Sequence, residues 1–471
     1  MHTAPKSKPV AAAPGRARRV AGLAAEGQAR REAGPEAESQ DLAAQLIEQL
    51  QDARRRELEL FSDLTDEQLI GPELRIIEPP LWEVGHVAWF QERWILRNLD
   101  GAEPLLAQAD RLYDSFNIPN ARRWHLDFPS RQATLEYLAA VLDRCLLRLA
   151  GRQPTDHEAY FYRLALFHED MHGETLTHIR QTLGYPPPAL SIPPAGQLRT
   201  DPDFEPHDVE IPGGVYCLGA SADLPFVFDN EKWAHPVSVP PYRISAAPVT
   251  TAEFLRFVKA GGYLDREAWS DDGWEWRLRA GAVHPVYWQR DGERWLRRHF
   301  DRLCPLEPRQ PMIHVNWYEA NAYCAWAGRR LPTEAEWELA ASSEPTPDGR
   351  GITSRKRRYP WGDEPPAPEQ ANLDSRALGC AEVGAYPAGD SAFGCRQMLG
   401  NVWEWTADTF AAYPGFELDP YAEYSAPSFG QQKVLRGGCW ATRSRLIRNT
   451  FRNFYTPDRN NIFAGFRTCA A

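Results

Sequence analysis

At 471 residues the chain is longer than one hydrophobic core usually serves, so two or three domains are expected. Its 17 Trp, 17 Tyr and 20 Phe, in a chain that is 43% apolar, exclude a largely disordered protein, because unfolded chains do not leave so much aromatic surface in water. A net charge of −11 gives no general attraction to phosphate backbones or anionic membranes, which removes nucleic acid from the expected partners.

Residues 1–38 are rich in Ala, Arg, Pro and Gly and nearly empty of large apolar side chains, so a disordered tail is expected there. Glu26, Glu32, Glu36 and Glu38 argue against an organelle transit peptide, which is acid-poor. From 39 to 185 apolar residues recur at three- and four-residue spacings, and four helices can be placed. The first covers 41–61 with Leu42, Leu46, Leu50 and Leu58 on one stripe. The second starts behind Pro79 and Pro80 and runs through Trp82, His86, Phe90, Trp94 and Leu99. A third follows Ser130 and carries Leu135, Leu138, Leu142 and Leu149. Thr155 and Glu158 have capping-box spacing, so the fourth begins there, and Gly184 ahead of Pro186, Pro187 and Pro188 ends it. Together they predict a four-helix bundle.

A proline-rich linker is expected over 186–206. Beyond it, from 207 to 471, short strands, turns and tryptophans alternate, with glycine pairs at 213/214, 261/262 and 437/438, as in a loop-dominated α/β domain. Short helices are predicted over 251–260 and 317–327, and a third after Thr333, where Glu336 completes another capping spacing. The fold class is thus a multidomain chain, an α bundle followed by an α/β domain. No run approaches the roughly 18 apolar residues that span a bilayer, and no signal-peptide core opens the chain, so a cytoplasmic protein without a membrane partner is expected. The eight cysteines form no CxxC pair, which leaves no local zinc ribbon or thioredoxin-type motif and suits reduced thiols.

The chemistry concentrates in the fourth helix. Its apolar stripe of Phe161, Leu164, Ala165, Ile179 and Leu183 passes through His168 and His172, so both imidazoles face the bundle interior. Two imidazoles four residues apart on one helical face can share a cation. His86, on the core stripe of the second helix, is the candidate third ligand. Glu169, Asp170 and Glu174 are alternative ligands or acceptors for imidazole N–H groups, whereas His125, His157 and His178 fall on no pattern and read as solvated or structural. Spacing does not choose the metal: iron would bind substrate and dioxygen together, and zinc would activate water or a thiol.

His86 and the run His168-Glu-Asp-Met-His-Gly-Glu174 resemble the metal-binding half of the sulfoxide synthases of ergothioneine biosynthesis, which carry a DinB-like bundle. The segments Arg329-Arg-Leu-Pro-Thr-Glu-Ala-Glu-Trp337, Gly400-Asn-Val-Trp-Glu-Trp-Thr406, Arg436-Gly-Gly-Cys-Trp440 and Phe463-Ala-Gly-Phe-Arg467 resemble the formylglycine-generating-enzyme fold, a C-type-lectin-like domain. The cysteine pair that those enzymes use is missing, since only Cys439 stands near the Arg-Gly-Gly turn, so the second half is expected to serve as a substrate-binding wall. The resemblance implies a nonheme iron(II) oxygenase that attaches a chalcogen to the imidazole of hercynine, the trimethylated form of histidine, with hercynine, a thiol or selenium donor and O2 as its small-molecule partners.

By position the resemblance makes Tyr421 the catalytic tyrosine, with Tyr424 close behind. A phenol with an intrinsic pKa near 10 can hold a proton until an oxygen species needs it. Asn453 and Phe454 fall where the family meets the hercynine ammonium group, a task suited to an aromatic face. Tyr455 replaces the acidic residue of glutamylcysteine-using relatives, Arg459 is retained, and Arg122 and Arg123 lie where those relatives place a donor-binding arginine. Met171 between the two histidines and Tyr113-Asp-Ser-Phe116 depart from the ergothioneine pattern and look more like the selenoneine synthases, which take a selenosugar. A selenosugar is therefore the expected donor, with cysteine or glutamylcysteine as the alternative; a zinc-dependent thiol transferase and a non-catalytic binding protein are the readings from other classes.

Overall fold

The computed structural model describes residues 35–193 and 199–471. The tail expected over 1–38 lies outside the described residues as far as residue 34, and residues 35–38 open the first helix, which spans Pro35–Phe61 and so starts several residues before the expected 41. The bundle is completed by Pro80–Gln91, Arg131–Leu149 and Asp156–Leu183. The first helix packs on the fourth, and the second on both the third and the fourth.

The boundaries have local causes. Thr155 and Glu158 form a reciprocal capping box at the start of the fourth helix, and Gly184 ends it in the left-handed conformation at φ 68°. Ser130 caps the third helix by accepting from the backbone N–H of Ala133. The second helix runs through Leu99 as expected and on to Asp100, but not as regular α-helix, since residues Glu92–Arg97 form a π-turn. Glu92, fully buried, accepts from the Tyr137 hydroxyl at 2.7 Å and from the Leu105 N–H, and the widened turn lets one carboxylate meet both partners.

In the second domain a four-stranded sheet runs in the order Asn453–Tyr455, Lys433–Arg436, Trp403–Thr409, Ala464–Gly465. Its register sets Leu435 opposite Asn453 and Val434 opposite Phe454. The predicted helices are found at Thr251–Lys259, Trp317–Trp326 and Glu334–Ser342, each with a capping box; Asp271–Ala280 is a further helix that the spacing did not indicate. Docking onto this domain begins ahead of residue 207: Asp201 donates its N–H to the Gly384 carbonyl, and Phe204 packs with Ala246, Ala247 and Val383, so the end of the expected linker is already part of the domain.

The two domains share one apolar core. Around it, Arg445 makes a two-pronged pair with Asp170 of the fourth helix at 2.7 and 2.6 Å and reaches Asp52 of the first at 2.7 Å. All eight cysteines are free thiols. Among the described residues no helix is long and apolar enough to cross a membrane.

Candidate metal centre and substrate pocket

Every side chain of the helix carrying His86 is buried. The imidazole stacks on Trp82, with ring centroids 4.6 Å apart at 11°, and its Nδ1 lies 2.7 Å from the Tyr113 carbonyl. That carbonyl can only accept, so Nδ1 carries the proton and Nε2 presents its lone pair to the interior. Gly85 makes this approach possible: a Cβ there would stand 2.2 Å from the Tyr113 ring.

His168 lies flat on Phe90, with centroids 3.5 Å apart at 4°, and its Nε2 is 3.2 Å from Nε2 of His86. His172, one turn further along, gives its Nδ1–H to the carboxylate of Glu83, which is itself only 1% exposed. Ligand atoms of His86, His168 and His172 all lie within 4.8 Å of one another. Two nitrogens about 2.1 Å from a common ion, at angles between octahedral and tetrahedral, are separated by roughly 3.0–3.4 Å, so the 3.2 Å spacing matches shared coordination. Burial, reinforced by His172, holds His86 and His168 well below the usual histidine range and keeps both neutral, as ligands must be. Among the described residues this is the only group of its kind. Three neutral imidazoles without a carboxylate suit a divalent transition ion.

The acidic alternatives turn elsewhere. Glu169 accepts from Arg54 at 2.8 Å and from Gln91, Asp170 is bound by Arg445, and Glu174 accepts from Trp403 at 2.6 Å and Thr442 at 2.5 Å. All three tie the fourth helix to its neighbours, and none belongs to the group that could hold an ion. The acceptor for an imidazole N–H is instead Glu83, three residues before His86 on the same helix.

A cavity of about 320 Å³ opens on the three histidines. It brings together residues from both domains: Met171 and Arg123 from the bundle, and Tyr421, Tyr424, Asn453, Phe454, Tyr455 and Arg459 from the second domain. Tyr421 sits over the metal-facing rings, its centroid 5.0 Å from Phe90 and 6.3 Å from His168. Burial, with Glu423 and Asp114 adding to it, raises its phenol above the ordinary value. Tyr424 donates to the Met171 sulfur at 3.5 Å and meets Phe454 at 5.5 Å. Phe454 stacks on Phe410 at 4.0 Å and 14°, which fixes its ring. Asn453 accepts the Phe454 N–H at 2.8 Å through its own Oδ1.

Arg123 lies over Trp82 at 4.0 Å and spends its donors on Glu78 at 2.6 Å and on the Ile118 and Ser115 carbonyls at 3.1 and 2.9 Å; it shapes the wall more than it reaches into the cavity. Arg122 is exposed and does not line the cavity, so the structure withdraws it from the substrate contacts expected for it. His125 and His157 are exposed, but His178 is 3% exposed and lines the cavity, which corrects its reading as a structural or solvated residue. Glu78 and Ser115, also in the wall, carry no pattern that a sequence could have offered.

Residues 49–178 match the DinB superfamily, and residues 194–471 match the sulfatase-modifying factor enzyme 1-like domain. The chain is 41% identical over 435 residues to a hercynine oxygenase of Mycolicibacterium thermoresistibile, covering 90% of this chain and 94% of that protein. It is 40% identical over 429 residues to the hercynine oxygenase of Mycobacterium tuberculosis, covering 90% and 98%. A formylglycine-generating enzyme of Streptomyces coelicolor is 33% identical over 313 residues, covering 60% of this chain and 95% of that protein. The formylglycine-generating likeness reaches only the second domain's share of the chain, whereas the other two relatives span bundle and wall together; the protein belongs to the hercynine oxygenase family.

Proposed function

We propose that this protein is an iron(II)- and O2-dependent enzyme that forms a carbon–selenium bond between hercynine and a selenosugar. The observation that carries the reading is the meeting, in one cavity, of three metal-ready imidazoles with the strand Asn453–Tyr455 of the other domain. Joining an imidazole carbon to selenium removes one hydrogen from each partner, a two-electron oxidation with dioxygen as acceptor.

Iron(II) held by His86, His168 and His172 would supply the activation of dioxygen. The rest falls to the chain. Phe454, fixed on Phe410 with Tyr424 at its edge, offers an aromatic wall to the trimethylammonium group. Tyr421, neutral because burial raises its pKa, holds a proton at Oη beside the histidines and can release it to an oxygen atom there. Trp82 and Phe90, stacked on His86 and His168, hold the two imidazole planes in place against the cavity.

For the donor, Tyr455 stands in place of an acid and Met171 packs against Tyr424, while the two carboxylates of the wall are already engaged, Glu78 by Arg123 at 2.6 Å and Asn120 at 2.9 Å and Glu83 by His172, which favours a sugar over an amino-acid ammonium group. One observation favours sulfur instead: Arg459 uses Nε on Asn461 at 2.9 Å, while no partner among the described residues takes its two Nη atoms, so a carboxylate from cysteine or glutamylcysteine could be met there.

The test is direct competition between a selenosugar, cysteine and glutamylcysteine in the presence of hercynine and oxygen, read by product mass. A selenium adduct as the main product is expected; a sulfur adduct overturns the donor assignment. Metal analysis and oxygen uptake address the class: a zinc protein that transfers a thiol without consuming oxygen would end the oxygenase reading.

A further inference from the structure

We infer that His178 is a substrate-contacting residue that presents a ring N–H to an oxygen atom of the chalcogen donor; the inference rests on the two-substrate reading above. His168, Met171, His172, Thr175 and His178 fall on one face of the fourth helix, and all five line the cavity. His178 is therefore the far end, along the helix, of the stripe whose near end carries the metal-ready histidines.

The cavity has two unlike flanks. Tyr421, Tyr424 and Phe454 form an aromatic one, in mutual contact through centroids 5.7 and 5.5 Å apart. The other is polar and carries His178, Tyr455 and Arg459, with the Arg459 guanidinium 5.0 Å from the Tyr455 ring. A quaternary ammonium group belongs on the first flank. What remains for the second flank is the other substrate.

His178 has the character of a ligand contact without a ligand. Its Nδ1 is fully buried and has no hydrogen-bond partner. An orphaned N–H is rarer in proteins than an under-satisfied acceptor, so the proton is assigned to Nε2. Burial, then the charge of Arg459, lowers its pKa to about 3, and the ring is neutral at any working pH. With Phe463 edge-on behind it at 6.4 Å, the ring can offer one N–H beside the free Nη donors of Arg459. Two side chains that point N–H donors into the cavity favour an oxygen acceptor on the ligand, a sugar hydroxyl or a carboxylate.

The test uses the iron-loaded enzyme under anaerobic conditions, with hercynine, a selenosugar, cysteine and glutamylcysteine titrated separately by calorimetry and then assayed in air. For His178→Phe the metal content and the hercynine Kd should stay within about twofold, while Kd and KM for the true donor rise about tenfold or more. His178→Gln, which keeps an N–H, should recover most of that loss. The donor whose affinity falls identifies the oxygen as hydroxyl or carboxylate. An unchanged donor Kd, a loss confined to hercynine, or equal losses in the Phe and Gln variants would each overturn the assignment. If the Phe variant does not load iron, His178→Met fills similar space without an N–H and takes its place. Wild-type enzyme that turns over hercynine with no donor would sink the functional reading itself, and this inference with it.

Discussion

The carboxylate of Glu83 shows how one residue outside the coordination set can govern it. It accepts the Nδ1–H of His172, fixing the tautomer and aiming Nε2 at His86 and His168. Such outer contacts are worth roughly 10–100-fold in metal affinity. Glu83→Gln should therefore weaken metal binding by about that factor with little change in fold, as chelator competition would measure; unchanged affinity would mean that His172 is oriented by packing alone. Tyr421 makes the opposite case, since it lies over the site without touching the ion's ligands through a hydrogen bond. Tyr421→Phe should leave metal content and hercynine affinity intact and lower kcat about 100-fold, the ordinary scale of a lost proton donor. A variant with wild-type kcat would assign the proton to another group. At this scale the sequence was informative where chemistry follows a local spacing. His168 and His172 sit four apart and announce themselves, whereas the acceptor for an imidazole N–H was expected among Glu169, Asp170 and Glu174 and is Glu83 on the other helix. Glu78, Ser115 and the loss of Arg122 from the cavity depend on how the segment after the second helix folds back, and no spacing encodes that.

Among the elements, the second helix carries both His86 and the Glu83 that accepts from His172. His86 approaches the Tyr113 carbonyl because residue 85 has no side chain, and Tyr113 occupies the space a Cβ would need. Gly85→Ala should push the tyrosine aside and release the Nδ1 contact. The expected outcome is a loss of about 1–3 kcal/mol in denaturant stability together with weaker metal retention. Retained metal affinity with lowered stability alone would separate the packing role from the orienting one. The element boundaries that the sequence disclosed through side-chain chemistry were the capping boxes at Thr155 and Thr333 and the stop at Gly184; the boxes at Thr250 and Asn316 emerged only with the structure. The π-turn at Glu92–Arg97 stayed hidden because its cause is Tyr137 on another helix. Strands such as Ala464–Gly465, two residues long and paired with a segment sixty residues away, have no periodicity to read.

Across the whole molecule the seam between the domains carries charge that folding has buried at a cost. Glu57 on the first helix is 1% exposed, and neither of its carboxylate oxygens has a partner. It lines a small void shared with Glu169 and Asp170 of the fourth helix and with Ser375, Ala441 and Arg443 of the second domain. Burial, and then the charge of Glu169, raises its pKa well above the ordinary value. A carboxyl whose folded pKa exceeds its unfolded value of about 4.3 contributes fully to stability below that value. The contribution is lost as pH rises, because the unfolded chain can ionise the group and the folded one resists. Glu57→Gln, close in shape to the protonated acid, removes this pH term and leaves the other ionisable groups to cancel in the comparison. The variant should match the wild type in unfolding free energy from denaturant titration near pH 4 and exceed it at pH 8, by on the order of 1–3 kcal/mol. A variant less stable than the wild type at pH 8 would show that Glu57 is ionised and held there by a cation at the seam, and that the domains are joined by an attraction instead of around a neutral acid.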